Sequence, residues 1–410
     1  MALAAVFARV FGDDLPIEFR AYDGSRHGPS DCSAAVVLKS PLALAHLASA
    51  PGELGLARAY VNGHIEVEGD MYTALAAFPP ITISDIPLGQ RIELAARLGA
   101  YRMWWPVRPP AEENRAGRGR RHSKSRDSRS ISYHYDVSNQ FYEWVLGPSM
   151  TYTCAVFERE DATLEQAQYE KHDLVARKLG LREGMSLLDI GAGWGGMVLH
   201  AAEHYGARAI GVTLSEEQAD WARHAISERG LSHLAEVRYQ DYRDVPESGF
   251  DAISSIGLTE HIGRDQLPGY FRSLRDRLKV GGRLLNHCIT RPDGSYPART
   301  GKFISRYVFP DGELESPAEI LGRMNDNGFE VRHEENLREH YALTLAGWCA
   351  NLDRNWRKAV AEVGSARARV WRLYMAASRL AFERNDIQLH QTLGVRSAGG
   401  AGSMPLRPDW

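Results

Sequence analysis

A ten-residue stretch, LLDIGAGWGG at 187–196, constrains this chain more than any other. An apolar run ends in Asp189, glycines follow at 191, 193, 195 and 196, and a helical pattern takes over. Glycine lets a backbone turn sharply and lets a ligand approach without a Cβ in the way. Strand, glycine turn and helix in that order predict a βα unit with a ligand at the turn. The dinucleotide pattern G-x-G-x-x-G is not met, because Gly191, Gly193 and Gly195 are spaced too tightly. The same grammar continues downstream. Strands are predicted at 186–190, 209–214, 250–256 and 282–289. Helices are predicted at 196–205, 216–229 (with Ser215 as N-cap) and 266–278. Strands alternating with helices of this length predict an α/β fold with a doubly wound, mostly parallel sheet. Residues 335–390 carry long helical patterns rich in Trp, Tyr and Leu, read as helical additions to that sheet.

The 410 residues suggest two or three domains at roughly 100–200 residues each. Lys+Arg is 49 against Asp+Glu 52, a net charge of -3 that argues against a dedicated nucleic-acid binder. Cys32, Cys154, Cys288 and Cys349 form no C-x-x-C pair, so neither a structural zinc site nor a disulfide framework is expected. A reducing cytoplasm is the expected compartment. No apolar run approaches the ~20 residues that span a bilayer, and 1–16 reads as an amphipathic helix rather than a signal peptide. Membrane contact should therefore be peripheral, at the inner face of the cell membrane.

Residues 1–100 read as a small α+β domain, with a strand at 34–38 and helices at 41–50 and 54–61. A basic linker over 101–132 follows. Within it, 114–130 has no large apolar residue, and there Arg115, Arg118, Arg120, Arg121, Lys124, Arg126 and Arg129 stand against Asp127. Such composition buries too little apolar surface to fold alone. It suits a solvated tether or a contact with anionic headgroups, each cation contributing about 1 kcal/mol near the surface. The α/β domain is expected over 133–395, and 396–410 is expected to be a disordered tail.

The D-x-G-x-G of the glycine turn resembles motif I of class I S-adenosylmethionine (SAM) methyltransferases. That resemblance implies a ribose contact at the end of the second strand, where Thr213 and Gln218 can offer hydrogen bonds. It also implies an adenine contact at 239–243, where Asp241 can accept from the exocyclic amine and Tyr242 can stack. Further segments occur in order: YHYDVSNQFYEWVLGPSMTYTC at 133–154, TYTCAVFE at 151–158, VTLSEEQ at 212–218, TEHIG at 259–263, FPDGEL at 309–314 and NDIQLHQ at 385–391. Together they resemble the cyclopropane-fatty-acyl-phospholipid synthase family, closely over 133–391. The resemblance extends more weakly to ELGLARAYVNGHIEVEGD at 53–70.

The resemblance implies a SAM-dependent enzyme that adds a methyl carbon to a cis double bond of a phospholipid acyl chain. It assigns SAM contacts to Tyr152, Thr153, Asp189, Gly191, Gly193, Thr213, Leu214, Gln218, Asp241, Tyr242 and Ile256. It also implies a bicarbonate ion as base, caged by Cys154, Glu260, His287, Ile289 (through its backbone) and Tyr341; no metal is implied. A protein of this kind needs no nucleophilic side chain. It needs a base and aromatic faces that tolerate a cation, for which Tyr152, Tyr307, Tyr341 and Trp348 are candidates. Glu260 beside an anion should either be protonated or be paired with a charged His287. Departures from the family pattern are Thr259 where Phe is usual, Ala192 where Cys is frequent and Ser378 where many members carry Cys. Two products fit these residues: a cyclopropane, or a methylene branch that a separate reductase would saturate. A non-catalytic lipid-binding protein is a third reading, and homo-oligomerisation is left open.

Overall fold

The computed structural model describes residues 2–78, 107–114, 121–124, 126–127, 138–297, 299–399 and 404–410. Contacts divide the chain into two units. One is Met1–Ala116 with Gly301–Pro310 and Leu352–Leu380; the other is Gly117–Thr300 with Asp311–Asn351 and Ala381–Trp410.

In the first unit, strands β1 (Glu18–Ala21), β2 (Arg26–His27), β3 (Ala34–Leu38) and β4 (Ile65–Gly69) form a sheet of order β2-β1-β3-β4. Its helices include Leu3–Phe11, Leu42–Ser49 and Glu53–Val61. Segments distant in sequence join it through buried ion pairs. Arg58 makes two hydrogen bonds to Glu113, at 2.6 and 2.7 Å, and Tyr307 Oη donates to the same carboxylate at 3.2 Å. Burial alone would raise Glu113, but Arg58 and Tyr307 hold it below the usual carboxylate range. Arg369 donates to the carbonyl of Tyr60, and Arg372 to those of Val67 and Gly69. These contacts place 301–310 and 352–380 with the N-terminal residues, whereas the sequence reading kept them in the α/β domain.

The second unit holds a sheet of order β10-β11-β9-β8-β5-β6-β7. Its strands are β5 (Ser186–Ile190), β6 (Arg208–Thr213), β7 (Ala235–Tyr239), β8 (Phe250–Ile256), β9 (Leu278–Thr290), β10 (Glu330–Asn336) and β11 (Gln388–Val395). Strands β5 to β9 run parallel, and β11 lies antiparallel between β9 and β10. Alternate residues of β5 feed two different cores. Leu187 packs with Val175, Met197 and Ala222, while Leu188 and Ile190 pack with Phe271, Leu274 and Met324. Helices therefore cover both faces, which is why this strand reads as a continuous apolar run. Each fully buried Leu contributes about 1.5–3 kcal/mol. The architecture is that of a class I methyltransferase, and the strand order reverses at β5/β8. In open α/β sheets ligands bind at such a reversal, beyond the carboxyl ends of the strands.

Two expectations are corrected. The stretch 335–390 is not uniformly helical: helices from Arg338 to Glu383 are flanked by β10 and β11. Nor are all the described residues of the basic linker and the tail free chain. Arg126 forms a two-bond pair with Asp311, Arg121 lies 3.5 Å from Asp311 and Glu313, Lys124 pairs with Asp244, and Asp127 pairs with Arg243. Charge pairing does there what apolar burial cannot. In the tail, Met404 and Trp410 pack against the core, with the Trp410 ring edge-on to His333 at 5.9 Å. Arg115, Arg118, Arg120 and Arg129 lie outside the described residues.

Candidate active site

Parallel registry lines up the carboxyl ends of β5, β6 and β8, since Ile190 pairs with both Val212 and Ser255. The glycine turn leaves β5 there. Gly191 and Gly193 have φ of +78° and +55°, a region that side chains other than glycine rarely adopt. A Cβ at Gly191 would press on Leu258 at 3.3 Å, whereas one at Gly193 would meet no atom within 4 Å. The turn thus presents bare backbone to open space, which fits a ligand lying against it. Asp189 is buried just before the turn and accepts from Ser254 Oγ at 2.6 Å, its cross-strand neighbour. Burial raises its carboxyl to about 6, against the opposing effects of Ser254 and Lys171.

At the end of β6, Thr213 Oγ1 donates to Gln218 Oε1 at 2.8 Å, and Ser215 caps the following helix. Leu214 lies half-buried just past the strand end. Asp241, expected as an open acceptor, is already engaged. Its Oδ1 accepts from the backbone N–H and Nε of Arg243, and its Oδ2 from Nη2 at 2.6 Å. Burial would raise it, but Arg243 prevails and holds it below the ordinary range, so it stays ionised. The Arg243 guanidinium lies 5.4 Å from the centroid of the Tyr242 ring, whose edge meets Tyr270.

Ile256 ends β8 and pairs with His287 on β9, which carries the register over to the residues expected to hold the base. Glu260 lies in a short 3-10 turn, Thr259–His261. Its Oε1 accepts from the Ile289 N–H at 2.7 Å, while Oε2 is buried without a hydrogen-bond partner. Burial raises the Glu260 carboxyl to about 7, partly offset by that N–H. His287 is fully buried; its Nδ1 lies 3.2 Å from Gln391 Nε2, and its Nε2 has no partner. Burial, then the charges of Lys171 and Lys178, hold its pKa well below the usual value. The alternative of a charged His287 beside Glu260 is therefore disfavoured.

Cys154 Sγ donates to the carbonyl of Ala155 and lies 3.8 Å from that of Leu337, the carbonyl that also accepts the Tyr341 N–H. Cys154 and Tyr341 thus share one backbone carbonyl at the start of a helix. Burial pushes the Cys154 thiol up, so it is no reactive thiolate. Aromatic rings continue from there in a row: Tyr341 is 4.4 Å from Phe382 and 6.1 Å from Trp348, and Trp348 is 5.2 Å from Tyr152. Tyr307, the fourth candidate, belongs to the other unit, where it serves Glu113. Thr259 Oγ1 donates to Asn286 Oδ1 at 2.6 Å. Asn286 and His287 are successive strand residues and point to opposite faces. Thr259 is therefore turned away from the face that carries His287.

Sequence reasoning missed two buried lysines. Lys171 Nζ donates to Thr153 Oγ1 at 3.0 Å and lies 3.0 Å from His172 Nε2, and burial lowers its pKa to about 7. Lys178 Nζ donates to Gln391 Oε1 at 2.7 Å and pairs with Glu335. Both lie in the helix Leu164–Leu179, seven residues apart, with buried Leu174 and Val175 between them. That spacing marks the apolar stripe of the helix, a signal available in the sequence.

The profile of the mycolic acid cyclopropane synthetase family matches residues 122–392. "Probable fatty acid methyltransferase Rv3720" of Mycobacterium tuberculosis is 51% identical over 405 residues, covering 96% of this chain and 95% of the relative. "Probable fatty acid methyltransferase" of Pseudomonas putida is 38% identical over 398 residues, covering 95% of each. Among solved structures, mycolic acid cyclopropane synthase CmaA1 complexed with SAH and CTAB is similar with a TM-score of 0.62. Its identity is 32%, over 65% of this chain and 98% of that one. The chain belongs to the mycolic acid cyclopropane synthetase family and is a SAM-dependent methyltransferase of the cyclopropane and fatty acid methyltransferase kind.

Proposed function

We propose that this enzyme adds a methyl carbon to a cis double bond in the acyl chain of a membrane phospholipid, with bicarbonate as base, and closes a cyclopropane. One observation carries the reading: Glu260 Oε2 and His287 Nε2 are buried polar atoms without hydrogen-bond partners, in a site that also carries a row of aromatic rings. Such atoms in a native fold call for a functional account. When bound, SAM supplies a methyl group on a sulfonium, and bicarbonate supplies a base. The open turn at Gly193 suits the amino acid part of SAM, and Lys171 beside Thr153 complements its carboxylate. Glu260 and His287 would hold the anion, with Cys154 and Tyr341 completing its cage and Ile289 acting through Glu260. Tyr152, Trp348 and Tyr341 face the positive charge that forms on the acyl chain, a contact worth about 0.5–2 kcal/mol per ring.

A methylene product is the second reading. It is favoured by the relatives that match over nearly the whole length, both named as fatty acid methyltransferases rather than cyclopropane synthases. Both products lose a proton from the new methyl, and they differ in where the cation sits when it leaves. It sits on the neighbouring carbon, to which the methyl carbon bonds as the ring closes, or on the methyl-bearing carbon after a 1,2-hydride shift, which gives the exocyclic double bond. Proton NMR of lipids from a host expressing the enzyme separates them. Ring signals lie upfield, methylene signals in the olefinic region. Turnover that persists in bicarbonate-free buffer would refute the anion.

We place the enzyme at the cytoplasmic face of the membrane. Among the described residues no helix is long and apolar enough to cross a bilayer, which suits peripheral contact. Binding to anionic vesicles should weaken with salt, because headgroup attraction is screened within about 8 Å at physiological ionic strength. Equal binding to neutral and anionic vesicles would refute an electrostatic contact.

A further inference from the structure

Three residues lie side by side across the antiparallel part of the sheet: Glu335 of β10 pairs with Gln391 of β11, and Gln391 pairs with His287 of β9. Directly opposed residues project to the same face. Lys178 reaches that face, where its Nζ donates to Glu335 and, at 2.7 Å, to Gln391 Oε1. Gln391 Nε2 in turn lies 3.2 Å from His287 Nδ1. Lys178, Gln391 and His287 are each 0% exposed, so water does not compete for the bonds among these three.

The polarity of this chain of bonds follows from its first member. An ammonium only donates, so Gln391 must turn its carbonyl oxygen to Lys178 and its NH2 to His287. An amide NH2 also only donates, so His287 Nδ1 accepts. A neutral imidazole that accepts at Nδ1 carries its proton on Nε2. That nitrogen is the one without a hydrogen-bond partner.

We propose that Lys178 and Gln391 are positioning residues that lock His287 as its Nε2–H tautomer, making it a hydrogen-bond donor to the bound anion and not a proton acceptor. The donor role rests on the bicarbonate reading; the tautomer does not. His287 then cannot be the base at the reacting carbon, and the pair of orphaned atoms has a defined polarity at one end.

The test is NMR of the full-length protein labelled with 15N-histidine, with His287 identified by the signals lost in His287→Gln. The wild type should show a protonated Nε2 and a bare Nδ1 with or without bicarbonate. A protonated Nδ1 would overturn the proposal without any variant. Gln391→Glu replaces the amide NH2 by a carboxylate oxygen, which accepts. It should switch His287 to the Nδ1–H form, raise the KM for bicarbonate about 100-fold, and leave the affinity for SAH within about twofold. Lys178→Met, which frees the Gln391 amide to rotate, should give a mixture of tautomers and a smaller rise. An unchanged tautomer in folded Gln391→Glu would refute the relay. A switched tautomer with unchanged bicarbonate KM would refute the donor role. Wild-type turnover indifferent to bicarbonate would sink the anion reading itself, and the spectra would still decide the relay.

Discussion

At the ends of β5, β6 and β7 the polar side chains answer one another: Ser254 donates to Asp189, Thr213 to Gln218, and Arg243 to Asp241. On the reacting side, Glu260 Oε2, His287 Nε2 and Trp348 Nε1 are buried with no partner. A buried polar atom left unsatisfied costs about 1–3 kcal/mol. The cofactor side is thus shaped mainly by backbone and is stable as built. The other side keeps hydrogen-bonding capacity that the protein itself does not answer, as a site for a polar ligand would. Glycine geometry governs one half, and unanswered hydrogen-bonding capacity governs the other.

The contrast is broken most sharply by Glu260→Ala. Turnover should fall about 10³-fold, the scale of losing one preorganised polar group, while calorimetry shows SAH binding unchanged. Gly193→Val should do the reverse. A branched side chain at φ +55° on the face open to ligand should weaken SAH binding about 100-fold. Unchanged affinity in the folded variant would remove the cofactor from the turn.

A pH profile sharpens the contrast further. With Glu260 near 7, its carboxyl is protonated below that pH and able to donate to an anion. Turnover at saturating bicarbonate should therefore fall about tenfold per unit above roughly pH 7. Glu260→Gln keeps an acceptor for the Ile289 N–H and adds a permanent donor, so it should flatten this limb. A limb that survives would belong to Lys171, which also titrates near 7. Stability follows the same sign. The folded protein holds the Glu260 proton more tightly than the unfolded chain, from the ordinary value of 4.5 up to about 7. Wild-type stability should decline over that window relative to Glu260→Gln. The smallest effect is expected from Thr259→Val. It leaves the Asn286 carbonyl without its donor, costing about 1–3 kcal/mol by thermal melting, with the product ratio unchanged. A changed ratio would give Thr259 a role in product choice that its orientation does not predict.

Strands β5 and β8 lie where the apolar runs predict, because a strand buried on both faces announces itself locally. Strand β11, QLHQTLGV, does not, although it is almost wholly buried. Its polar residues are answered from elsewhere: His390 Nδ1 is 2.8 Å from Thr290 Oγ1, and Gln391 is met by Lys178. No window of sequence contains those partners. The same holds for 301–310 and 352–380, whose place with the N-terminal residues is decided by Arg58, Arg369 and Arg372. In the candidate site, Glu260, His287 and the glycine turn are picked out by motif resemblance. The engagement of Asp241 by Arg243, the orientation of Thr259 and the buried lysines needed three dimensions.

The insertion of β11 between β9 and β10 bears on how the enzyme is made. A ribosome delivers β9 and β10 well before residues 388–395, yet those two strands cannot pair with each other in the final sheet. At about 5–20 residues per second, the nascent chain spends seconds with the edge of β9 open and His287 lacking its neighbour. An open, apolar edge is a template for pairing with other chains. A chain interrupted before Gln388 should therefore be both inactive and prone to aggregate, and methyl transfer cannot begin on a half-made protein.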